Sequence, residues 1–120
     1  MRSFNRADRV SGQIRRILSE LLQKNIKDPR LKSATITGVD LTRDLRYATV
    51  YFVLSEGRGS REEAAAGFQS AMGYLKRTIA PELGLRYMPE LKFCYDESMD
   101  YGARIENVLR SLKTDDESNH

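Results

Sequence analysis

The 120 residues have the composition of one ordinary globular domain, with 40% hydrophobic residues and a net charge of +3. The single cysteine, Cys94, excludes an intrachain disulfide and favours a reducing, cytoplasmic location, and no apolar run approaches the roughly 18 residues of a membrane span. Residues 1–32 carry nine Lys and Arg residues against three Asp and Glu residues. This excess of positive charge in the first quarter of the chain indicates a polyanionic partner.

Residues 5–27 are predicted to form a long amphipathic helix. Apolar residues recur at intervals of three and four within it, which gives one core-facing stripe. Asn5 is a predicted N-cap, and Asp28-Pro29 ends the helix because the residue before a proline avoids the helical conformation. A basic flank lies beside the apolar stripe and comprises Arg2, Arg6, Arg9, Arg16 and Lys24. This flank is either a surface for a polyanion or a solvated helical face.

Two predicted β-strands follow, at residues 34–41 and 46–54, with a polar turn between them. Both are rich in β-branched and aromatic residues, which predicts an antiparallel hairpin. The side of the second strand that should face a helical layer consists of Ala48, Val50, Phe52 and Leu54. The opposite side includes Tyr47 and Tyr51, so it is either covered by other residues or available for binding.

A polar loop at 55–60 precedes a second helix, predicted over residues 62–80. Its apolar residues again recur at intervals of three and four. Pro81 is expected to end or bend this helix because a proline lacks the N–H that helical hydrogen bonding requires. Gly84 fits a helix C-terminus.

The second helix contains two glycines, Gly67 and Gly73, each of which costs about 1 kcal/mol relative to alanine. We expect a kink at Ala71-Met72-Gly73, which would let another backbone approach closely. Lys76 and Arg77 would then lie at the start of a second half-helix, whose free N–H groups suit a phosphate. The alternative is that Gly73 packs against a bulky core residue.

Residues 90–95 alternate in polarity and are predicted to form a third strand, followed by a last helix at 98–112. Residues 113–120 are acidic, lack apolar residues and are expected to be disordered. The predicted architecture is a single two-layer α+β domain over residues 1–112, with its helices on one face of a three-stranded sheet.

No set of residues suited to catalysis is present in the sequence. The only histidine is His120, at the end of the tail, which argues against His-based acid–base catalysis and His-containing metal sites. Asp96, Glu97 and Asp100 could hold Mg²⁺, but carboxylates at a helix start commonly complement the helix dipole. Cys94 is expected to be a buried strand cysteine. We therefore predict a binding protein with no catalytic residues, no metal and no cofactor.

The order of elements, αββααβ, is also that of the bacterial-type KH domain, an RNA-binding fold. KH domains clamp four nucleotides with a GxxG loop, and no two glycines of this chain are three residues apart. An RNA-binding protein built from this sequence would therefore bind by charge and shape.

Several segments resemble the family of bacterial ribosome-binding factor A, a maturation factor of the small ribosomal subunit. They are RADRVSGQIRRILSELL at 6–22, IKDPRL at 26–31, TGVDLTRDLRYATVYF at 37–52, Ala71-Met72-Gly73, LRYMPELKFCYDES at 85–98 and YGARIENVL at 101–109. The resemblance implies a type II KH-like fold with an extra C-terminal helix, in which an Ala-x-Gly kink replaces the GxxG loop. Pro81 departs from the family pattern, and a short acidic tail stands where some members have a long basic extension.

The same resemblance implies binding to the small subunit through 16S rRNA during its late maturation and rRNA processing. It also implies a link to cold adaptation and release with the help of assembly GTPases. We expect a cytoplasmic monomer that does not bind membranes. The candidate RNA-binding residues are Arg6, Arg9, Arg16, Lys24, Lys27, Arg30, Ala71, Gly73, Lys76, Arg77 and Arg86.

Two other functions remain open at the level of the sequence. A protein–protein adaptor would use Tyr47 and Tyr51 without contacting RNA, and its binding would withstand high salt, whereas binding to rRNA would weaken. An Arg-rich N-terminus is also typical of organelle transit peptides. The first helix, however, continues without a change of composition into the Asp28-Pro29 turn and supplies core residues.

Overall fold

The computed structural model of the protein describes residues 5–55, 60–98 and Leu109. Its first helix, α1, spans Arg6–Lys24, and Asn5 is its N-cap, as predicted. The Asn5 side chain accepts a hydrogen bond from the backbone N–H of Asp8 at 2.9 Å, and the Asp8 carboxylate accepts one from the Asn5 backbone at 3.2 Å. This reciprocal pair satisfies two N–H groups that the first turn of a helix would otherwise leave free.

A single 3₁₀ turn, Pro29–Leu31, follows α1, which ends three residues before the predicted position. The Asp28 side chain caps this turn by accepting a hydrogen bond from the backbone N–H of Arg30 at 2.9 Å. Leu31 is buried against the second helix, where a Cβ added to Gly67 would lie 3.0 Å from Leu31 Cδ2. The missing side chain at Gly67 therefore allows the turn and the helix to approach each other closely.

The three strands form one sheet in the order β1-β2-β3, with β1 at Ala34–Leu41, β2 at Tyr47–Leu54 and β3 at Glu90–Tyr95. β1 and β2 are antiparallel, as the sequence predicts. β2 and β3 are parallel, and Tyr47 lies opposite Glu90. Because of this pairing, both strands begin at the same end of the sheet.

The second helix, α2, spans Arg61–Leu83 and connects the two parallel strands. It has no boundary at Ala71–Gly73, where the sequence predicts a kink between two half-helices, and it continues through Pro81. Because the helix is continuous, its backbone N–H groups near Gly73 are used within the helix and are not free to bind a phosphate. Buried residues before and after Gly73 belong to one core-facing stripe, and their packing outweighs the small cost of a glycine. The helix ends at Gly84 with φ of 63°, which confirms its predicted position at the C-terminus.

The core lies between the sheet and the two helices. α1 packs mainly against β1, while α2 packs against α1 and β3. Phe68 of α2 stacks on Phe93 of β3 with 4.1 Å between ring centroids, and its ring centroid is 5.0 Å from that of Phe52 in β2. This two-layer arrangement confirms the predicted α+β class with a three-stranded sheet and is consistent with a KH-like fold.

Three predicted features lie outside the described residues: the centre of the 55–60 loop, almost all of the helix at 98–112 and the tail at 113–120. The extent of a single domain over residues 1–112 stays a prediction. Within the part of the chain that the structure describes, no helix is both long and apolar enough to cross a membrane.

Candidate nucleic-acid interface

The basic flank of α1 lies on the surface because it is beside, and not part of, the apolar stripe that packs against the core. The exposed members of the flank are Arg6, Arg9, Arg16 and Lys24; Arg2 lies outside the described residues. Arg16 forms an ion pair with Glu20 at 3.6 Å, and both side chains are more than half exposed. An exposed pair of this kind contributes at most about 1 kcal/mol. None of the other three has an ion-pair partner among the carboxylates of residues 5–55 and 60–98.

Three lysines line a groove of about 620 Å³ between the end of α1 and the start of β1. We call this the lysine groove, and its lysines are Lys24, Lys27 and Lys32. No acidic residue lines it, and Leu22, Ile26 and Ala34 form its apolar part. The structure therefore brings together Lys24 and Lys27 from the predicted set and adds Lys32.

Arg30 has a local structural partner. Its guanidinium Nη2 lies 2.7 Å from Asp28 Oδ2 and its Nε lies 3.0 Å from Asp28 Oδ1. Side-chain and backbone hydrogen bonds from Arg30 lower the pKa of the Asp28 carboxyl below its ordinary value, so this carboxylate stays charged. The same guanidinium lies 3.4 Å from Ser70 Oγ on α2. Because its charge is compensated by Asp28, Arg30 stabilises the turn and offers little free charge to a phosphate.

The predicted residues on α2 differ in their surroundings. Lys76 Nζ lies 2.8 Å from Glu90 Oε2, which joins α2 to the first residue of β3. Arg77 and Gly73 are exposed, and a Cβ at Gly73 would meet only the Arg77 guanidinium, at 3.1 Å. The interpretation that Gly73 packs against a bulky core residue is therefore wrong. Ala71 is half-buried. Because Lys76 is paired with Glu90, Arg77 is the one uncompensated cation of α2 among the predicted residues.

A cleft of about 480 Å³ opens at the end of the sheet where β2 and β3 begin. We call it the Arg/Tyr cleft, and the residues that give it this name are Arg6, Arg46, Tyr47, Arg86 and Tyr87. Tyr47 is 58% exposed and Tyr87 is 75% exposed. The Arg86 guanidinium carbon lies 5.5 Å from the centroid of the Tyr87 ring, within the range of a cation–π contact.

The fold explains why residues distant in sequence meet in this cleft. Arg6 begins α1, Arg46 precedes β2, and Arg86 follows α2. The backbone N–H of Glu90 donates to the Arg46 carbonyl at 2.8 Å, which fixes the start of β3 beside the start of β2. The turn before Arg46 is closed by a hydrogen bond from Leu45 N–H to the Thr42 carbonyl, and Leu45 adopts a φ of 63°.

Sequence reasoning missed Arg46 and Tyr87 as binding residues, although one signal points to them. The dipeptide Arg-Tyr occurs twice, at 46–47 and at 86–87. Each copy lies at or shortly before the start of one of the two parallel strands. With the parallel pairing known, this repeat predicts that the two dipeptides share one end of the sheet.

The face of the sheet that the adaptor hypothesis uses is only partly accessible. Tyr51 is half-buried, while Tyr47 opens into the Arg/Tyr cleft. Cys94 is a free cysteine and is half-buried, not fully buried as predicted. Residues 5–55 and 60–98 contain no cluster of three His, Cys, Asp or Glu side chains that could hold a metal ion.

Comparisons with known proteins agree on one family. The family profile of ribosome-binding factor A matches residues 6–109. A ribosome-binding factor A from Desulfosudis oleivorans is 51% identical over 115 residues, covering 96% of this chain and 89% of that protein. One from Desulfatibacillum aliphaticivorans is 51% identical over 112 residues, covering 93% of this chain and 91% of the relative.

Solved structures extend the similarity to the fold. The crystal structure of ribosome-binding factor A from Thermus thermophilus has a TM-score of 0.67 and 27% identity, over 74% of this chain and 93% of that one. A homology model of the Thermus thermophilus protein, fitted into the cryo-EM map of its 30S complex, has a TM-score of 0.59 and 28% identity, over 72% and 91% of the two chains. Since the family profile covers most of the sequence and its closely similar relatives match almost end to end, this chain belongs to the ribosome-binding factor A family.

Proposed function

We propose that this protein binds the small ribosomal subunit through 16S rRNA and assists its late maturation, including rRNA processing. Two findings support the proposal. The chain belongs to the ribosome-binding factor A family, and a similar protein from Thermus thermophilus has been placed in a 30S complex. The ligand that the surface favours is a polyanion, as rRNA is.

The observation that carries the proposal is the set of uncompensated cations along α1 and the residues after it. Arg6, Arg9, Lys24 and Lys27 are exposed and make no ion pair with the carboxylates of residues 5–55 and 60–98. A cation without a local carboxylate is free to neutralise a phosphate and release its counterion, which is the main source of sequence-independent affinity for nucleic acids.

The family also supports several finer proposals. We expect the protein to act as a cytoplasmic monomer, without enzymatic activity, metal or cofactor. We further expect release from the subunit with the help of an assembly GTPase, and a stronger requirement for the protein during growth in the cold. The predicted RNA-binding residues that retain this role are those whose charge is uncompensated: Arg6, Arg9, Lys24, Lys27, Arg77 and Arg86. Arg16 contributes through its exposed, weakly held charge.

Sedimentation through a sucrose gradient with separated ribosomal subunits tests the proposal. The wild-type protein should migrate with the small subunit and not with the large one. Arg9→Glu should weaken this association at moderate salt, whereas the control Lys92→Glu changes the charge equally at an exposed position on β3 and should not. Both variants should keep the wild-type melting temperature, since both side chains are exposed. A protein that stays at the top of the gradient with both subunits would overturn the proposal.

A further inference from the structure

The Arg/Tyr cleft has a chemistry that the basic flank of α1 lacks. Its volume of about 480 Å³ lies in the range of sites that hold small ligands, about 300–1,000 Å³. Three arginines and two exposed tyrosines line it. Charge alone would explain a phosphate contact, but it would leave the two aromatic rings without a function.

The charge of the cleft favours an anion. No carboxylate of the described residues lies within ion-pair distance of Arg6, Arg46 or Arg86. Of the two acidic residues in the lining, Glu90 is neutralised by an ion pair with a lysine, whereas Asp44 keeps its charge near Arg46; the three arginines therefore still leave the cleft positive. Glu90 is bound by Lys76 at 2.8 Å, and Asp44 accepts hydrogen bonds from the Thr42 hydroxyl at 2.6 Å and from the backbone N–H of Arg46 at 3.2 Å.

The aromatic side chains favour a planar ligand. Tyr47 and Tyr87 keep most of their surface in water although they line a concave site. The Arg86 guanidinium already contacts the Tyr87 ring. Aromatic rings and arginine planes of this kind stack on unpaired nucleobases, and cationic groups beside them hold the adjoining phosphates.

We propose that the Arg/Tyr cleft binds an unpaired nucleotide of RNA, with the base stacked on Tyr47 or Tyr87 and the backbone phosphates near the three arginines. The inference rests on the proposed function, because it takes RNA as the ligand. It adds a site that distinguishes single-stranded from double-stranded RNA, since bases inside a duplex already stack on their neighbours and cannot reach the tyrosines.

The test compares two RNA probes of equal charge. One is a labelled single-stranded oligoadenylate of eight nucleotides, and the other is the same ribose-phosphate chain without bases. The wild-type protein should bind oligoadenylate about tenfold more tightly than the abasic chain, as expected for stacking of a base. The double variant Tyr47→Ala/Tyr87→Ala should lose this preference and bind the abasic chain as wild type does. Tyr47→Phe/Tyr87→Phe should retain the preference because it keeps both rings.

A matched control separates the cleft from exposed tyrosines in general. Tyr74 on α2 is 39% exposed and does not line the cleft, so Tyr74→Ala should leave both affinities unchanged. Equal wild-type affinity for the two probes would overturn the inference, as would a loss of preference in Tyr74→Ala equal to that in the double variant. If polyglutamate displaces oligoadenylate from the wild type but not from the double variant, the site recognises an acidic protein segment, and the inference again fails.

The same variants distinguish this inference from the proposed function. If the wild type fails to migrate with the small subunit, the proposed function is wrong. If the wild type migrates with the subunit and shows no preference for bases, the proposed function stands and only the nucleotide site is wrong.

Discussion

At the scale of single residues, the two glycines of α2 have different surroundings, although helix propensity assigns the same cost to both. A Cβ at Gly67 would lie 3.0 Å from two atoms of buried Leu31 and 3.3 Å from Arg30 Cβ, whereas a Cβ at Gly73 would meet only the mobile end of Arg77. Replacement of either glycine by alanine improves helix propensity by about 1 kcal/mol. At Gly67 the overpacking of the core costs about 1–3 kcal/mol and outweighs this gain.

We therefore expect opposite signs in urea denaturation. Gly67→Ala should lower the free energy of unfolding, and Gly73→Ala should raise it by up to about 1 kcal/mol. The second variant is the control for the first because the two sites lie in the same helix. A rise of similar size in both variants would contradict the close contact between Gly67 and Leu31.

The Asp28 carboxylate, which caps the turn after α1, makes the stability of the protein depend on pH. Its pKa lies below the ordinary value, chiefly because the Arg30 side chain hydrogen-bonds to the carboxylate. A group whose folded pKa is lowered stabilises the fold above its unfolded pKa of about 3.9, and this contribution is lost as the pH falls through the folded value. Asp28→Asn keeps an oxygen that can cap the turn but removes the charge.

The variant should be less stable than wild type at neutral pH, and the difference should shrink as the pH falls below about 4. Urea denaturation across this pH range measures it. Asp40→Asn, at an exposed position on β1, is the control. A difference in stability that is the same at neutral and acidic pH would show that the Asp28 charge does not contribute.

At the scale of elements, α2 carries two adjacent cations with different availability. Lys76 is held by Glu90 at 2.8 Å, while Arg77 is exposed and makes no ion pair within the described part of the chain. Lys76→Gln should therefore weaken association with the small subunit less than Arg77→Gln does, measured by the fraction that migrates with the subunit. Stability should change by less than about 1 kcal/mol in both, since neither charge is buried. Equal weakening would indicate that RNA displaces Glu90 from Lys76.

The elements themselves were predictable from local patterns, but the Arg/Tyr cleft was not. Apolar spacing located α1 and α2, β-branched and aromatic residues located β1 and β2, and alternation located β3. The Asn5 cap and the Gly84 C-terminus were predicted from single residues. The cleft depends on which strands become neighbours. Arg46 and Arg86 are forty residues apart and meet only because β2 and β3 pair in parallel, a long-range choice that residue periodicity does not encode.

The predicted division of the second helix into two half-helices at Gly73 was wrong for a similar reason. Local propensity treats a helical glycine as a break, whereas tertiary packing on both sides of Gly73 keeps α2 continuous. Likewise, a count of positive charges cannot tell Arg30 and Lys76, which face carboxylates, from Arg9 and Arg77, which do not.

At the scale of the whole molecule, uncompensated cations occur from the first turn of α1 to its last. α1 is about 28 Å long, with Arg6 and the Arg/Tyr cleft near its start and the lysine groove at its end. A surface of this length can neutralise several phosphates at once. If it neutralises about five, the plot of log affinity for the small subunit against log salt concentration should have a slope of roughly −3.5 to −4.5.

The contribution of each cation to that slope distinguishes RNA binding from the adaptor hypothesis. Arg9→Gln should make the slope less steep by about 0.7–0.9 because it removes one phosphate contact. Arg30→Gln should leave the slope nearly unchanged, since Asp28 compensates the Arg30 charge in the free protein. A wild-type slope near zero would instead mean that the protein docks on a ribosomal protein through apolar contacts, and the sheet face around Tyr51 would then be the surface to test.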